Sequence, residues 1–382
     1  MRVWVNAASA SLGGAATYLR ELLAEFRAQP RDATLVVWVP AGTDTLLGPS
    51  TDALKFSVLP KAPGALRRFW MDQVSQRRWL MRERIDVAFS SANLGMLSSP
   101  VPQLLLVRNA LPFSVLYRQR ILPQKTWRLR QSENARKVLA HLSASRAHRV
   151  MVPSETMRQE LLSAVPSCER RTVVNLYGVR SERFGLDSGA RPMPMLPTAV
   201  FTGLYSEHKN LGTLFEAMGL LAQRGQRVLL KTPADPRLEN IHNPIRHRDA
   251  LLLDSLRHQG LAASTGVLKA EGLAKLYAEA SLFVYPSVVE SFGHPLAEAM
   301  AAQRPIVAAD VPINRELCQD AAVYFSPFDP SSCAEAMTRV LNDATLRDRL
   351  IQNGTRRVAT LTWASHWERL HGILKQTAAG VL

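Results

Sequence analysis

Short apolar runs recur along the chain at intervals that leave room for a helix between them. In the first half they are RVWVNA (2–7), ATLVVWVP (33–40), DVAFSSA (86–92), PQLLLVRNA (102–110), HRVMVPS (148–154) and TVVNLYGV (172–179). The second half repeats the plan with TAVFTGL (198–204), RVLLKTP (227–233), STGVL (264–268), SLFVYPS (281–287), RPIVAAD (304–310) and AAVYFSP (321–327). Runs this short, with little alternation and bounded by turn residues, read as strands buried on both faces. Amphipathic stretches between them supply the crossovers of parallel sheets. Between the two series lies GLDSGARPMPMLPT, with Pro192, Pro194 and Pro197 close together. This reads as a linker. The expected organisation is a first α/β domain over 1–185, a linker over 186–197, a second α/β domain over 198–362 and a closing helix from Trp363.

A chain of 382 residues, 47% hydrophobic and 21% charged, has the composition of a folded protein with two cores of middling size. No stretch approaches the roughly 20 apolar residues that span a bilayer. The opening MRVWVNAASASLGG reads as a strand entering a glycine loop, not a secretion signal. Cys168, Cys318 and Cys333 have no metal-ligand spacing, and buried thiols in a reducing compartment are expected. A cytoplasmic location follows as the expectation, with possible attachment to the inner face of the membrane left to the charge pattern.

The net charge of +15 is uneven. Residues 1–185 hold 27 Lys and Arg against 13 Asp and Glu, the remainder 20 against 19. A basic half points to an anionic partner: nucleic acid, a membrane surface or a phosphorylated acceptor. Residues 65–84, ALRRFWMDQVSQRRWLMRER, predict a helix with a stripe of Leu66, Phe69, Trp70 and Val74 among six arginines. Packing with snorkelling arginines and docking on a membrane both fit it. A second basic stretch runs from Arg118 to Lys137.

Candidate chemistry concentrates in three places. In SLFVYPSVVESFGHPLAEAM (281–300) a buried strand ends in a polar loop, and a helix begins near His294–Pro295, since proline suits the first helical position. Ser291 is the expected N-cap. Backbone amides at Phe292, Gly293 and His294 then lie at a helix N-terminus beyond a strand, where open α/β sheets bind phosphates. Glu290 and Glu298 bracket this turn and suit hydrogen bonds to sugar hydroxyls. In FTGLYSEHKNLGTLFEAM (201–218) a strand ends at Gly203 and a helix starts near Asn210, with Lys209 adding a point charge for an anion. The third is Gly13–Gly14, opening a helix after the first strand.

The segment VVESFGHPLAEAMAAQRPIVAAD closely resembles the E-x7-E signature of glycosyltransferase family 4, retaining enzymes of the GT-B fold. TGLYSEHKN is similar to that family's glycine-loop–Lys–Asn donor motif. The early Gly-Gly loop, LYGV after Asn175 and the closing Trp-containing helix fit the same plan. The resemblance implies two Rossmann-like domains across a cleft, the last helix returning to the first. It implies that Lys209 holds the donor diphosphate, Glu298 the ribose and Glu290 the transferred sugar. Gly203, Ser291, Phe292, Gly293 and His294 would line the donor site, with Gly13 and Gly14 closing over the diphosphate from the other domain. Two departures stand out. Leu204 and Tyr205, then His208, occupy the loop where many relatives have an arginine. Arg108 and Asn109 stand where many have a histidine, which makes Arg108 a candidate catalytic charge and Asn109 a donor contact.

The implied reaction moves a hexose, such as mannose, from a GDP- or UDP-sugar to a lipid-linked or oligosaccharide acceptor in surface-polysaccharide synthesis. No Asp-x-Asp motif is present, so neither metal nor other cofactor is expected. A GT-B nucleotide-sugar epimerase and a basic nucleic-acid-binding protein are the alternatives. Against the latter, the basic residues fall in helical patterns and no recognition module is evident.

Overall fold

The computed structural model describes residues 1–8, 14–59, 73–184, 194–237 and 243–381. The chain forms two compact units. One comprises Met1–Phe113, Ser132–Gly178 and Trp363–Leu382, the other Ser114–Gln131 and Val179–Thr362.

The first unit carries β1 (Arg2–Asn6), α1 (Gly14–Ala28), β2 (Thr34–Pro40), β3 (Leu54–Leu59), α2 (Ser75–Arg82), β4 (Val87–Ser90) and β5 (Gln103–Leu106). After α3 (Trp127–Arg146), whose residues up to Gln131 group with the second unit, come β6 (Arg149–Val152), α4 (Glu155–Ala164) and β7 (Thr172–Val174). Neighbouring strands of the first unit pair in parallel, in the order β3-β2-β1-β4-β5-β6-β7. β4, β5 and β6 are buried at every position, as unbroken apolar runs predict. β3 is an addition: only its ends, Leu54 and Leu59, are buried, so its hydrophobic pattern is that of a half-covered edge. On α2, Leu80 is buried and Trp79 packs with Trp4 and Trp38, ring centroids 6.4 and 5.1 Å away. Of the stripe expected on 65–84, Leu66, Phe69 and Trp70 lie outside the described residues, and Val74 is exposed.

The second unit holds β8 (Thr198–Val200), α5 (Leu211–Gln223), β9 (Leu229–Thr232), α6 (Pro244–His258), β10 (Ala262–Ser264) and α7 (Ala270–Glu279). It continues with β11 (Leu282–Tyr285), α8 (His294–Ala301), β12 (Ile306–Ala309), α9 (Pro312–Cys318), β13 (Ala322–Phe325), α10 (Pro330–Asn342) and α11 (Ala344–Val358). Its parallel sheet runs β10-β9-β8-β11-β12-β13. The strand expected at STGVL lies upstream, over Ala262–Ser264, because Gly266 turns into the left-handed region at φ +65°.

The last helix, α12 (Trp363–Ala378), belongs to the first unit. There Trp367 donates from Nε1 to the Gln29 carbonyl at 2.8 Å and its ring meets Phe26 edge-on. His366 Nδ1 lies 2.9 Å from the Leu176 carbonyl, which requires the proton on that nitrogen, so Nε2 accepts from Tyr18 Oη at 3.1 Å.

The contacts divide the chain in a different way from the expected boundary at 185. Ser114–Gln131 groups with the second unit, where Tyr117, Ile121 and Leu122 are buried and the Arg120 guanidinium lies over the Phe328 ring at 5.6 Å. Val179 also falls there, its amide donating to the Leu361 carbonyl at 3.0 Å. Most of the expected linker, 186–193, lies outside the described residues. All three cysteines are buried and free. No helix among the described residues is long and apolar enough to cross a membrane.

Candidate functional site

The chain leaves β8 toward β9 and β10 on one side of the sheet, then returns to β11 on the other, so β8 and β11 are neighbours whose continuations diverge. Such a switch point opens a crevice beyond the carboxyl ends of the strands. The loop after β8 contains Gly203 and Lys209; the loop after β11 contains Glu290 and leads into α8. Two motifs about eighty residues apart in sequence therefore share one crevice.

Within it, Lys209 Nζ donates to Glu290 Oε1. Tyr285 Oη and Ser287 Oγ donate to the same oxygen, each at 2.7 Å. Three donors thus saturate Oε1, and among the described residues no donor reaches Oε2. The Lys209 and Glu290 side chains are 16% and 15% exposed. Burial pushes the Glu290 carboxyl upward, but the charges of Lys209 and His208 and the hydrogen bonds prevail and hold it at about 2. His208 goes the same way for a different reason: burial first, then the Lys209 charge, lower it to about 4, so its imidazole is neutral near pH 7. Its Nδ1 lies 2.9 Å from Ser206 Oγ, and its carbonyl accepts from the Val288 amide at 3.0 Å, which ties the two loops together. Gly203 lies against Lys209; a Cβ there would stand 2.8 Å from the Phe201 ring, too close for any side chain without movement.

Glu298 sits one helical turn into α8. Tyr277 Oη lies 3.1 Å from Glu298 Oε2, 3.1 Å from the Pro295 carbonyl and 2.9 Å from Thr202 Oγ1. That hydroxyl joins the end of β8 to the start of α8. The helix begins at His294 with proline in its first turn, as expected, but its N-cap is Gly293 and not Ser291. Gly293 adopts φ +91°, which glycine takes without a Cβ penalty, and it places Ser291 in the loop before the cap. Phe292 is buried, its ring 5.1 Å from that of His294.

In the first unit Arg108 follows β5. Its guanidinium lies over Tyr18 at 5.6 Å and 3.4 Å from where a Gly14 Cβ would stand. No carboxylate pairs with Arg108 among the described residues. Asn93 organises this strand end: Oδ1 accepts from the Arg108 and Asn109 amides, both at 2.9 Å, and Nδ2 donates to the Asn109 carbonyl at 2.7 Å. Asn109 is exposed and its Oδ1 caps its own turn, accepting from Leu111 N at 3.1 Å. Gly13 lies outside the described residues.

Tyr285, Ser287, Tyr277 and Asn93 escaped the sequence reading. A signal existed for Tyr285, since a tyrosine inside a buried strand needs a partner for its hydroxyl. Among the described residues no group of three or more His, Cys, Asp or Glu is arranged to hold a metal ion.

Residues 12–183 match the family model described as Glycosyltransferase Family 4, and residues 193–357 the model described as Glycosyl transferases group 1. The chain is 26% identical over 220 residues to alpha-D-kanosaminyltransferase of Streptomyces kanamyceticus, covering 56% of this chain and 50% of that protein. It is 30% identical over 112 residues to O-antigen chain mannosyltransferase B of Escherichia coli, 29% of each chain. The matched stretches thus span half or less of these relatives' lengths. Anabaena Alr3699/HepE, solved in complex with UDP and glucose, superposes with a TM-score of 0.73 at 15% identity, over 98% of this chain and 100% of that one. That likeness is one of fold.

Proposed function

The chain belongs to the GT-B glycosyltransferases, with a family 4 domain in its first half and a group 1 domain in its second, and from that premise we propose that it transfers a hexose, such as mannose, from a GDP- or UDP-sugar to a lipid-linked or oligosaccharide acceptor of a surface polysaccharide. The observation that carries this reading is the pairing of Lys209 with a Glu290 whose Oε1 is saturated by protein donors and whose Oε2 receives none among the described residues, beyond the carboxyl ends of β8 and β11. The names of the relatives favour mannose and O-antigen chains, and the complex of HepE favours a nucleotide-sugar donor.

In this reading Lys209 and the N-terminus of α8 take up the charge of the departing diphosphate, with backbone at Phe292, Gly293 and His294 beside it. Glu290, ionised and held rigid by three donors, accepts from hydroxyls of the transferred hexose through Oε2 and stabilises positive charge developing at its anomeric carbon. Glu298, steadied by Tyr277, accepts from the ribose. Arg108 supplies a further positive charge for the donor in place of the histidine of many relatives. The bond from the anomeric carbon to the diphosphate breaks, the acceptor hydroxyl oxygen bonds to that carbon on the same face, and a diphosphate oxygen takes the hydroxyl proton. Configuration is retained and no metal is required.

The test is a screen of GDP- and UDP-sugars for nucleotide release that depends on added acceptor, run with and without excess EDTA. Glu298→Ala should weaken binding of the free nucleoside diphosphate as well as of the donor, whereas Glu290→Ala should mainly lower turnover. Unchanged nucleotide affinity in the Glu298 variant would sink the ribose assignment. Activity lost in EDTA and restored by Mg²⁺ would sink metal independence. Conversion of the donor into a different sugar nucleotide without acceptor would favour an epimerase.

A further inference from the structure

The segment Ser114–Gln131 lies between first-unit residues in sequence yet packs within the second unit. It folds as a π turn over Tyr117–Ile121 followed by a 3-10 turn over Leu122–Gln124. At the end of the second turn the backbone becomes extended at Lys125, whose side chain turns inward and is only 10% exposed. Its Nζ lies 5.4 Å from the Tyr117 ring centre and 3.4 Å from Glu207 Oε2. A lysine read from the sequence as part of a basic stretch is thus buried against a carboxylate.

Glu207 is the first residue of the single turn Glu207–Lys209 that ends on the amine paired with Glu290. It is itself buried, accepts from Asn243 Nδ2 at 3.0 Å through Oε1, and stands 3.6 Å from an Arg246 nitrogen. Burial would raise its pKa, but Lys125 and Arg246 prevail and keep it ionised. Besides Lys125, the turn is held by the Asn243 amide on Glu207 and by the Val288 amide on the His208 carbonyl. Asn210, which links it to α5, adopts the left-handed region at φ 52°, and its buried Nδ2 has no hydrogen-bond partner among the described residues. A cavity of about 100 Å³ lined by Ile121, Gln124, Glu207 and Asn210 among others leaves the turn space to shift.

We propose that Lys125 is a positioning residue for the donor site: its ion pair with Glu207 fixes the Glu207–Lys209 turn, so that the Ser114–Gln131 segment sets where the Lys209 amine meets the diphosphate. The proposal rests on the reading that Lys209 holds that diphosphate. An alternative role, in which the buried pair contributes to stability alone, makes different predictions.

The experiment uses the full chain with UDP and GDP as probes, taking the tighter binder. Calorimetry gives its affinity for Lys125→Met, Lys125→Arg, Lys209→Met and the Lys125→Met/Lys209→Met double variant. Thermal unfolding of each reports folding. Lys209→Met should weaken binding by roughly tenfold or more, as loss of a charge-assisted contact does. Lys125→Met should weaken it by about fivefold, and Lys125→Arg should restore most of the loss. In the double variant the Lys125 change should add less than about twofold, because residues acting through one contact are not additive. Should Lys125→Met fail to fold, Lys125→Gln replaces it in the same cycle. Unchanged affinity in a folded Lys125→Met, or the full loss repeated in the Lys209→Met background, would overturn the proposal. Unchanged affinity in Lys209→Met would instead overturn the diphosphate reading on which it stands.

Discussion

Burial, then the Lys209 charge, keep His208 neutral down to about pH 4, with Glu290 and Glu207 opposing them. The unfolded chain takes up a proton on this imidazole near its ordinary value of 6.5, whereas the folded chain does so only near 4. Stability is therefore unaffected by His208 above pH 6.5 and falls as the pH drops from 6.5 to 4, by at most about 3 kcal/mol. Glu290 acts in a lower window: its contribution is present above its ordinary 4.5 and is lost as the pH falls toward 2. His208→Asn should flatten the pH dependence of stability between 6.5 and 4, read from urea unfolding across that range. Parallel curves for the variant and the parent would show that the imidazole titrates normally in the fold.

Single elements impose demands that no individual side chain reveals. Gly293 caps α8 at φ +91°, with Leu296 and Leu317 carbons 3.4 Å from where a Cβ would stand. Gly293→Ala should cost about 1–2 kcal/mol in strain. It should also weaken nucleotide binding, because the amides at the start of α8 would shift. Gly219 offers the opposite case. It lies inside α5 with nothing within 4 Å of a Cβ, so Gly219→Ala should stabilise by about 0.5–1 kcal/mol. Urea midpoints moving the same way in both variants would contradict this account. Gly212, also in α5, has a third reason to be glycine: a Cβ there would stand 2.5 Å from Asp249 Oδ1 and closer still to the Arg248 guanidinium.

For the molecule as a whole, the surplus of positive charge lies in residues 1–185. Arg77, Arg78 and Arg82 on α2 are exposed, and within the same unit α3 exposes Arg136, Val138 and Leu142. Our hypothesis is that this basic surface docks on an anionic membrane where a lipid-linked acceptor is presented. Each Lys or Arg near such a surface contributes about 1 kcal/mol. The attraction should fade as salt shortens the screening length from about 10 Å at 0.1 M to about 3 Å at 1 M. Co-sedimentation should recover the protein with phosphatidylglycerol-containing vesicles at low salt, and neither with neutral vesicles nor at high salt. Charge reversal of Arg77, Arg78 and Arg82 should release it while nucleotide affinity holds. Equal recovery with neutral and anionic vesicles would instead mark the surface as a steering field for a phosphorylated acceptor.

The sequence by itself determined the two parallel sheets, the crevice motifs around Lys209 and Glu290, and the start of α8 at His294. These follow from local physics: strands buried on both faces need unbroken apolar runs, and a helix that starts on proline after glycine needs no distant partner. Half-covered β3 was not legible, because its pattern depends on which face its neighbours cover. Only the tertiary structure decided that Tyr285 and Ser287 saturate one oxygen of Glu290 and that Tyr277 bridges Thr202 and Glu298. It alone turned Lys125 inward and gave Ser114–Gln131 to the second unit. Such pairings join residues far apart in sequence, where no local periodicity carries information. A lysine written among arginines looks solvated until a buried carboxylate eighty-two positions away proves to be its partner.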